Sequence, residues 1–162
     1  MKTKEESVLK KVKAKIGVKS TKGFDPKEFF KTGDGLYVYS DFKERILEKA
    51  ETIKSAKTLN LSSFDLIASA SDEKIENSLP KKHIFSETDV CAVIAGLIKK
   101  QSKGEEGVLR NNGYANLFYT PSFVVGVGWS DSRWGVDTWF RDGGGWAGGM
   151  RVFSPATVTS KS

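Results

Sequence analysis

Two residues of this sequence have side chains suited to nucleophilic or proton-transfer chemistry, and each occurs once. His83 is the single histidine and Cys91 is the single cysteine. A histidine that acts as a general base needs a positioned partner, and only Ser86 and Glu87 lie close to it in sequence. Because His83 follows two lysines in a predicted loop, we interpret it as an exposed loop residue. Cys91 lies beside the apolar stripe of a predicted helix, which favours a core position. No catalytic residue is therefore assigned, and an enzyme with an unrecognised cleft site is an alternative.

Neither a cofactor nor a metal site is predicted. A single histidine excludes a two-histidine metal site, and the scattered carboxylates form no metal-binding pattern. The five glycines of residues 143–149 follow a predicted strand and lack the Lys-Ser/Thr pair of a phosphate-binding P-loop. We interpret that run as a permissive hairpin loop.

The unusual concentration in this sequence is aromatic, because all four tryptophans fall between positions 129 and 146. In an extended strand successive side chains point to opposite faces, so Asp137 and Trp139 share one face and Trp134 lies on the other. On the preceding predicted strand, Gly126 and Gly128 share a face, and glycine leaves room for a ligand to approach. The pattern predicts an aromatic sheet face above a glycine floor.

Such a face suits a planar or extended ligand, for example a base, a sugar or a peptide strand, held by stacking and a few polar contacts. Tryptophan is mostly buried on average, so the alternative is that a terminal helix or a second chain covers this face. Five residues on the face and its rim are predicted to bind the ligand, namely Arg133, Asp137, Trp139, Arg141 and Trp146.

The positive charge of the chain is confined to one end. Residues 1–23 contain eight Lys and two Glu, which equals the whole net charge of +6, so the remaining chain is neutral. A basic segment can contact phosphates without sequence specificity, which makes nucleic-acid binding an alternative function. The lysines assigned to it are Lys10, Lys11, Lys13, Lys15 and Lys19.

Periodicity and capping residues predict helices in the first two thirds of the chain. Apolar residues recur every three or four positions in residues 5–16, and Asp25-Pro26 begins a short helix. Capping signals also precede a helix at about 41–55, a short one that begins at Ser71 and a long one at 87–101.

After residue 101, glycine, aromatic and β-branched residues replace the helical period. Strands are predicted at 115–120, 123–129, 134–140 and 150–154, with an Asn112-Gly113 hairpin turn before them. The predicted fold class is α+β, with helices of the N-terminal two thirds packed against a mainly antiparallel C-terminal β-sheet of about four strands. One or two earlier strands, including residues 36–39, are predicted in addition to these four. We divide the chain into a basic N-terminal helix or arm, 1–23, and a single α+β domain, 24–162.

Composition limits the compartment and the class of function. No stretch approaches the ~20 apolar residues that span a bilayer. The N-terminus lacks the continuous apolar segment of a signal peptide, and a single cysteine fits a reducing compartment, so we expect a cytoplasmic protein. We expect a non-enzymatic binding or interaction module that engages a protein or small ligand through its C-terminal sheet. A homo-oligomer formed through the sheet is a further expectation.

Overall fold

The computed structural model describes residues 7–33, 35–141 and 144–156 and is dominated by β-structure. Within these ranges seven strands form one mixed sheet and two short strands form a second. The strands are β1 (Leu9–Ser20), β2 (Leu36–Val38), β3 (Lys57–Leu66), β4 (Ala70–Ser71), β5 (Asn116–Tyr119), β6 (Phe123–Ser130), β7 (Arg133–Phe140), β8 (Gly145–Trp146) and β9 (Arg151–Pro155).

Four α-helices and one 3₁₀ turn lie in the described ranges. They are α1 (Pro26–Phe29), α2 (Ser40–Arg45), the 3₁₀ turn Leu47–Lys49, α3 (Asp72–Ser78) and α4 (Glu87–Lys100). No helix among the described residues is long and apolar enough to cross a membrane.

The large sheet has the order β1-β3-β9-β5-β6-β7-β2, and β4 pairs with β8 in the small sheet. Strand β5 runs parallel to β9, and β2 runs parallel to β7, whereas the other neighbours in the large sheet are antiparallel. The C-terminal strand β9 thus lies inside the sheet, between β3 and β5.

The predicted fold class is wrong. The helices are short and account for 23% of the structure, and the sheet is mixed and recruits strands from both ends of the chain. It is not a C-terminal antiparallel unit with helices of the N-terminal two thirds packed on it. The error came from local patterns, which report neither pairing direction nor which distant strands become neighbours.

The largest local error concerns the helix predicted at residues 5–16, of which residues 5 and 6 lie outside the described range. Residues Leu9–Ser20 form β1, which pairs with β3 and has register shifts around Lys13. Ile16, Val18 and Ser20 are buried at a spacing of two, which is the strand period. The irregular register displaces the apolar residues before Ile16, so their spacing imitates a helix.

The capping predictions are confirmed for three helices. Ser86 Oγ accepts a hydrogen bond from the Asp89 N–H at 3.1 Å, and Ser71 and Asp25 cap α3 and α1 in the same way. The helix predicted at 41–55 is shorter, because Ile53 exchanges backbone hydrogen bonds with residues 23 and 24.

The predicted strands at 36–39, 115–120, 123–129, 134–140 and 150–154 are found as β2, β5, β6, β7 and β9 with small changes in their ends. The predicted Asn112-Gly113 hairpin is not formed. Asn112 caps a local turn by accepting a hydrogen bond from the Tyr114 N–H, but no strand precedes it, and Leu109 is buried in the core instead.

One face of the large sheet packs against α4. Ile94 and Leu97 from this helix are buried with Phe118, Trp134 and Phe153 from the sheet. The Trp134 indole also donates a hydrogen bond to the backbone carbonyl of the residue after α4, at 2.7 Å. The long helix predicted at 87–101 is therefore found as α4, and its apolar residues lie in the main core.

The opposite face is covered over only part of its area. Ile75 and Leu79, at the α3 end of the molecule, pack with Leu117, Tyr119 and Val124 from β5 and β6. Further along β6, and across β7 and β2, no described helix covers this face. Its aromatic side chains are consequently accessible.

A glycine-floored groove on the open sheet face

The open face forms a groove over β6, β7 and the end of β2. Burial alternates along β7, where Trp134, Val136 and Thr138 are buried and Trp139 is 41% exposed. This alternation confirms the predicted division of faces, with Asp137 and Trp139 on the same side.

Glycines make the floor of the groove. Gly126 pairs with Asp137 and Gly128 pairs with Gly135, so three glycines meet on two neighbouring strands. A Cβ added to Gly126 would lie 2.4 Å from Cζ3 of Trp139, which shows that the indole lies directly over this glycine. The absence of a side chain at Gly126 is therefore what lets the ring approach the sheet at this point.

Two tyrosines form the other wall. Because β2 runs parallel to β7 with Tyr37 paired to Gly135, the chain places Tyr39 beside Asp137. The rings of Tyr37 and Tyr39 meet edge to face at 4.7 Å, and the Arg133 guanidinium lies 4.9 Å from the Tyr37 ring centre. A cation over an aromatic face is attracted by the negative face of the ring, which holds Arg133 at this end.

Asp137 is the partly buried carboxylate of the groove, whereas Asp131 at the hairpin end is exposed. Asp137 Oδ1 accepts a hydrogen bond from the Thr138 N–H at 2.8 Å. Burial raises the pKa of Asp137 above its ordinary value, and nearby Asp41 acts in the same direction, against smaller effects from the Thr138 hydrogen bond and Arg45. An incoming positive charge would favour the ionised carboxylate.

The groove encloses about 490 Å³, a volume within the range usual for small-molecule sites. Besides the side chains already described, the hairpin between β6 and β7 and part of the segment before β5 border it. Its lining is Tyr37, Tyr39, Gly113, Ala115, Gly126, Gly128, Trp129, Ser130, Asp131, Arg133, Gly135, Asp137 and Trp139.

Three of the five predicted ligand residues line this groove, namely Arg133, Asp137 and Trp139. The other two do not. The Trp146 ring packs edge to face on the Trp139 ring at 5.1 Å, on the side away from the groove lining. Arg141 is ion-paired with Glu76 of α3. These two residues support the neighbouring structure.

Asp72 holds the indole of Trp146 by a hydrogen bond. This carboxyl is 3% exposed, and its Oδ1 accepts hydrogen bonds from the Trp146 indole and the Tyr119 hydroxyl, both at 2.8 Å. Burial raises the pKa of Asp72 above its ordinary value, although both hydrogen bonds act to lower it. Asp72 therefore holds the Trp146 ring through a hydrogen bond, and the Trp146 ring in turn packs against Trp139 of the groove.

Glu76, one turn further along α3, holds the only histidine of the chain. Glu76 Oε1 lies 2.8 Å from His83 Nε2, and the Pro80 carbonyl lies 2.9 Å from His83 Nδ1. The Glu76 carboxylate and the Pro80 carbonyl thus hold the two sides of the imidazole ring. The interpretation of His83 as an exposed loop residue is wrong, because its side chain is 12% exposed. Burial by itself would raise the pKa of Glu76, but hydrogen bonds from Arg141 and His83 hold it below its ordinary value.

The comparisons with other proteins found nothing. No protein-family model, curated protein or solved structure matches this chain. The geometry of the groove is therefore the basis for any proposal about function.

The basic residues lie at the opposite edge of the sheet. All five lysines assigned to nucleic acid are exposed on β1, and no described carboxylate lies within 4 Å of any of them. Strand β1 is separated from β7 by five strand steps, which is about 24 Å. The structure does not bring the lysines and the groove together.

Tyr37 and Tyr39 are the groove residues that sequence reasoning missed. Their spacing of two predicts a shared face, but only the parallel pairing of β2 with β7 places that face beside Asp137. The core interpretation of Cys91 is confirmed, and burial raises the pKa of its thiol well above the usual range. In the described part of the chain, no group of three or more His, Cys, Asp or Glu side chains is placed to hold a metal ion.

Proposed function

We propose that this chain is a non-enzymatic binding module whose groove on β6, β7 and β2 takes a small, flat-sided ligand. The observation that carries the proposal is the pairing of Trp139 with a glycine floor. An exposed indole lies over Gly126, and a Cβ added to the neighbouring Gly128 would meet nothing within 4 Å. A ligand on this floor can stack on aromatic walls without displacing any side chain.

The strand pairing favours a small ligand over a peptide strand. The floor glycines have strand partners on both sides, Gly126 with Leu117 and Asp137, and Gly135 with Gly128 and Tyr37, so their backbone groups are already used within the sheet. A peptide that lay across the floor would find no row of free backbone donors and acceptors of the kind that strand addition requires. The side chains must therefore supply the recognition.

Ligand-observed NMR with a library of small aromatic and polar compounds tests this function. Trp139→Ala removes the indole from the groove, and Phe140→Ala removes the neighbouring ring, which is exposed on the other face of β7. We expect compounds that bind the parent chain to bind Phe140→Ala and to lose most of their saturation transfer with Trp139→Ala. Compounds that bind Trp139→Ala as well as the parent would contradict the proposal, and so would a library with no binders at millimolar concentration.

The edge strand β1 supports a second candidate function, nucleic-acid binding. Its exposed lysines have no acidic partner within 4 Å among the described residues, so their charge is free to meet phosphates. Because β1 packs on β3 and α4, removing residues 1–23 would damage the fold, and point variants are needed.

Fluorescence anisotropy with a labelled single-stranded oligonucleotide tests this second candidate. We expect the quadruple variant Lys10→Gln, Lys11→Gln, Lys13→Gln and Lys15→Gln to bind the oligonucleotide more weakly than the parent chain. The dependence of its remaining affinity on salt concentration should also be smaller. The control variant removes the same number of positive charges outside β1, with Lys43→Gln, Lys49→Gln, Lys54→Gln and Lys74→Gln. Equal losses in both variants would mean that β1 is not a specific interface.

A further inference from the structure

Asp137 is a partly buried carboxylate without a salt-bridge partner in the described part of the chain. Its Oδ1 accepts the Thr138 N–H, and no described Lys, Arg or His nitrogen lies within 4 Å of the carboxylate. Arg45, the cation that acts on the pKa of Asp137, belongs to α2 and donates a hydrogen bond to the Thr138 hydroxyl on the other face of the sheet. A charge that is partly removed from water without a partner is unfavourable, and a cationic ligand would supply the missing partner.

Two aromatic rings lie over the glycines next to this carboxylate. Gly126, which faces Asp137 across the strands, is covered by the Trp139 ring. Gly135 lies two residues before Asp137, on the same face of β7. A Cβ added to Gly135 would lie 3.5 Å from Cε1 of Tyr39. Aromatic faces around a carboxylate are the arrangement that recognises alkylammonium groups, because the ring faces and the carboxylate all attract positive charge.

We propose that the groove selects a small organic cation, with an alkylammonium group placed against Asp137 between Trp139 and Tyr39. This inference rests on the proposed function of the groove and adds the charge of its ligand. Arg133 does not compete for Asp137, because it lies four residues away along β7, about 13 Å in an extended strand, and stacks on Tyr37.

A matched pair of probes tests the charge directly. Choline and 3,3-dimethyl-1-butanol have nearly the same shape, but only choline is charged, and their binding is followed by ¹H–¹⁵N correlation spectra of the intact chain. We expect choline to shift the amide signals of β6 and β7 and to bind at least about tenfold more tightly than the neutral alcohol, since a charge-assisted contact supplies a difference of that order.

Asp137→Asn is the decisive variant, because the amide oxygen can still accept the Thr138 N–H while the charge is lost. Asp25→Asn is its control, since Asp25 caps α1 outside the groove lining and asparagine is an equally good N-cap residue. We expect Asp137→Asn to weaken choline binding at least about tenfold and to abolish the preference over the alcohol, and Asp25→Asn to change neither.

Three outcomes would overturn the inference. Equal affinity for choline and the alcohol would show a ligand groove without charge selection, and the proposed function would stand. If library compounds bind through Trp139 and choline does not bind, the groove is likewise a ligand site that does not select a cation. A lysine-containing peptide that binds far more tightly than choline would mean that the occupant is a protein segment and not a small cation.

Discussion

Replacing Gly126 by alanine tests how the groove is built. An added Cβ would lie 2.4 Å from Cζ3 and 3.0 Å from Cη2 of Trp139, whereas a Cβ added to Gly128 on the same face meets nothing within 4 Å. Neither glycine has a positive φ, so alanine can adopt the backbone at both positions. Gly126→Ala should displace the indole, and Gly128→Ala should leave it in place.

Two opposing effects determine how much each substitution changes the free energy of unfolding. An alanine in a compatible backbone stabilises a protein by about 0.4–1 kcal/mol, chiefly by restricting the unfolded chain. Overpacking costs about 1–3 kcal/mol, and we expect the lower end because Trp139 is 41% exposed and can rotate outward. Gly128→Ala is therefore expected to raise the free energy of unfolding by about 0.4–1 kcal/mol. Gly126→Ala should leave it equal or up to about 1 kcal/mol lower.

Urea unfolding measured side by side for the two variants gives this difference. With a slope of about 2 kcal/mol per molar, the expected difference of about 0.4–2 kcal/mol between the two variants separates their midpoints by about 0.2–1 M. Near-UV circular dichroism should change only in Gly126→Ala, because displacing Trp139 disrupts its edge-to-face contact with Trp146. Equal midpoints together with unchanged near-UV spectra would refute the description of Trp139 as lying on Gly126.

Opposite pH responses are expected from two carboxyls one turn apart on α3. The pKa of Asp72 is raised above 3.8 in the folded chain, so the stability associated with its protonated form is lost as pH rises through the folded pKa. Asp72→Asn, which keeps the acceptor oxygen, should be at least as stable as the parent at pH 7 and should lose that advantage in acid. The pKa of Glu76 is held below 4.5, so its contribution is present above 4.5 and is lost as pH falls through the folded pKa. Glu76→Gln should lower the free energy of unfolding at pH 7 by about 1.5–3 kcal/mol, and by less in acid. Urea unfolding between pH 3 and 7 measures both, and responses of the same sign in the two variants would contradict the assignment.

Local chemistry made part of the structure predictable. Capping depends on residues within one turn, so Ser71 and Ser86 identified the beginnings of α3 and α4. Alternation depends only on the strand period, so the shared face of Asp137 and Trp139 followed once β7 was recognised.

Long-range pairing could not be predicted in the same way. The groove needs β2 beside β7, which joins segments almost a hundred positions apart and places Tyr39 at Asp137. Arg141 was assigned to the ligand because of its charge and position in sequence, but the structure gives it Glu76 as a partner. For β1, an irregular register in an edge strand produced apolar spacing that resembles a helix.

The interior position of β9 affects the order in which the sheet can assemble. During synthesis, β9 emerges after the eight other described strands, yet it joins β1 and β3 on one side to β5, β6, β7 and β2 on the other. Until residues 151–155 leave the ribosome, the sheet exists as two separate parts with open edges at β3 and β5. Such edges can pair with other chains, so the interval before β9 is added is when the nascent chain is most exposed to aggregation.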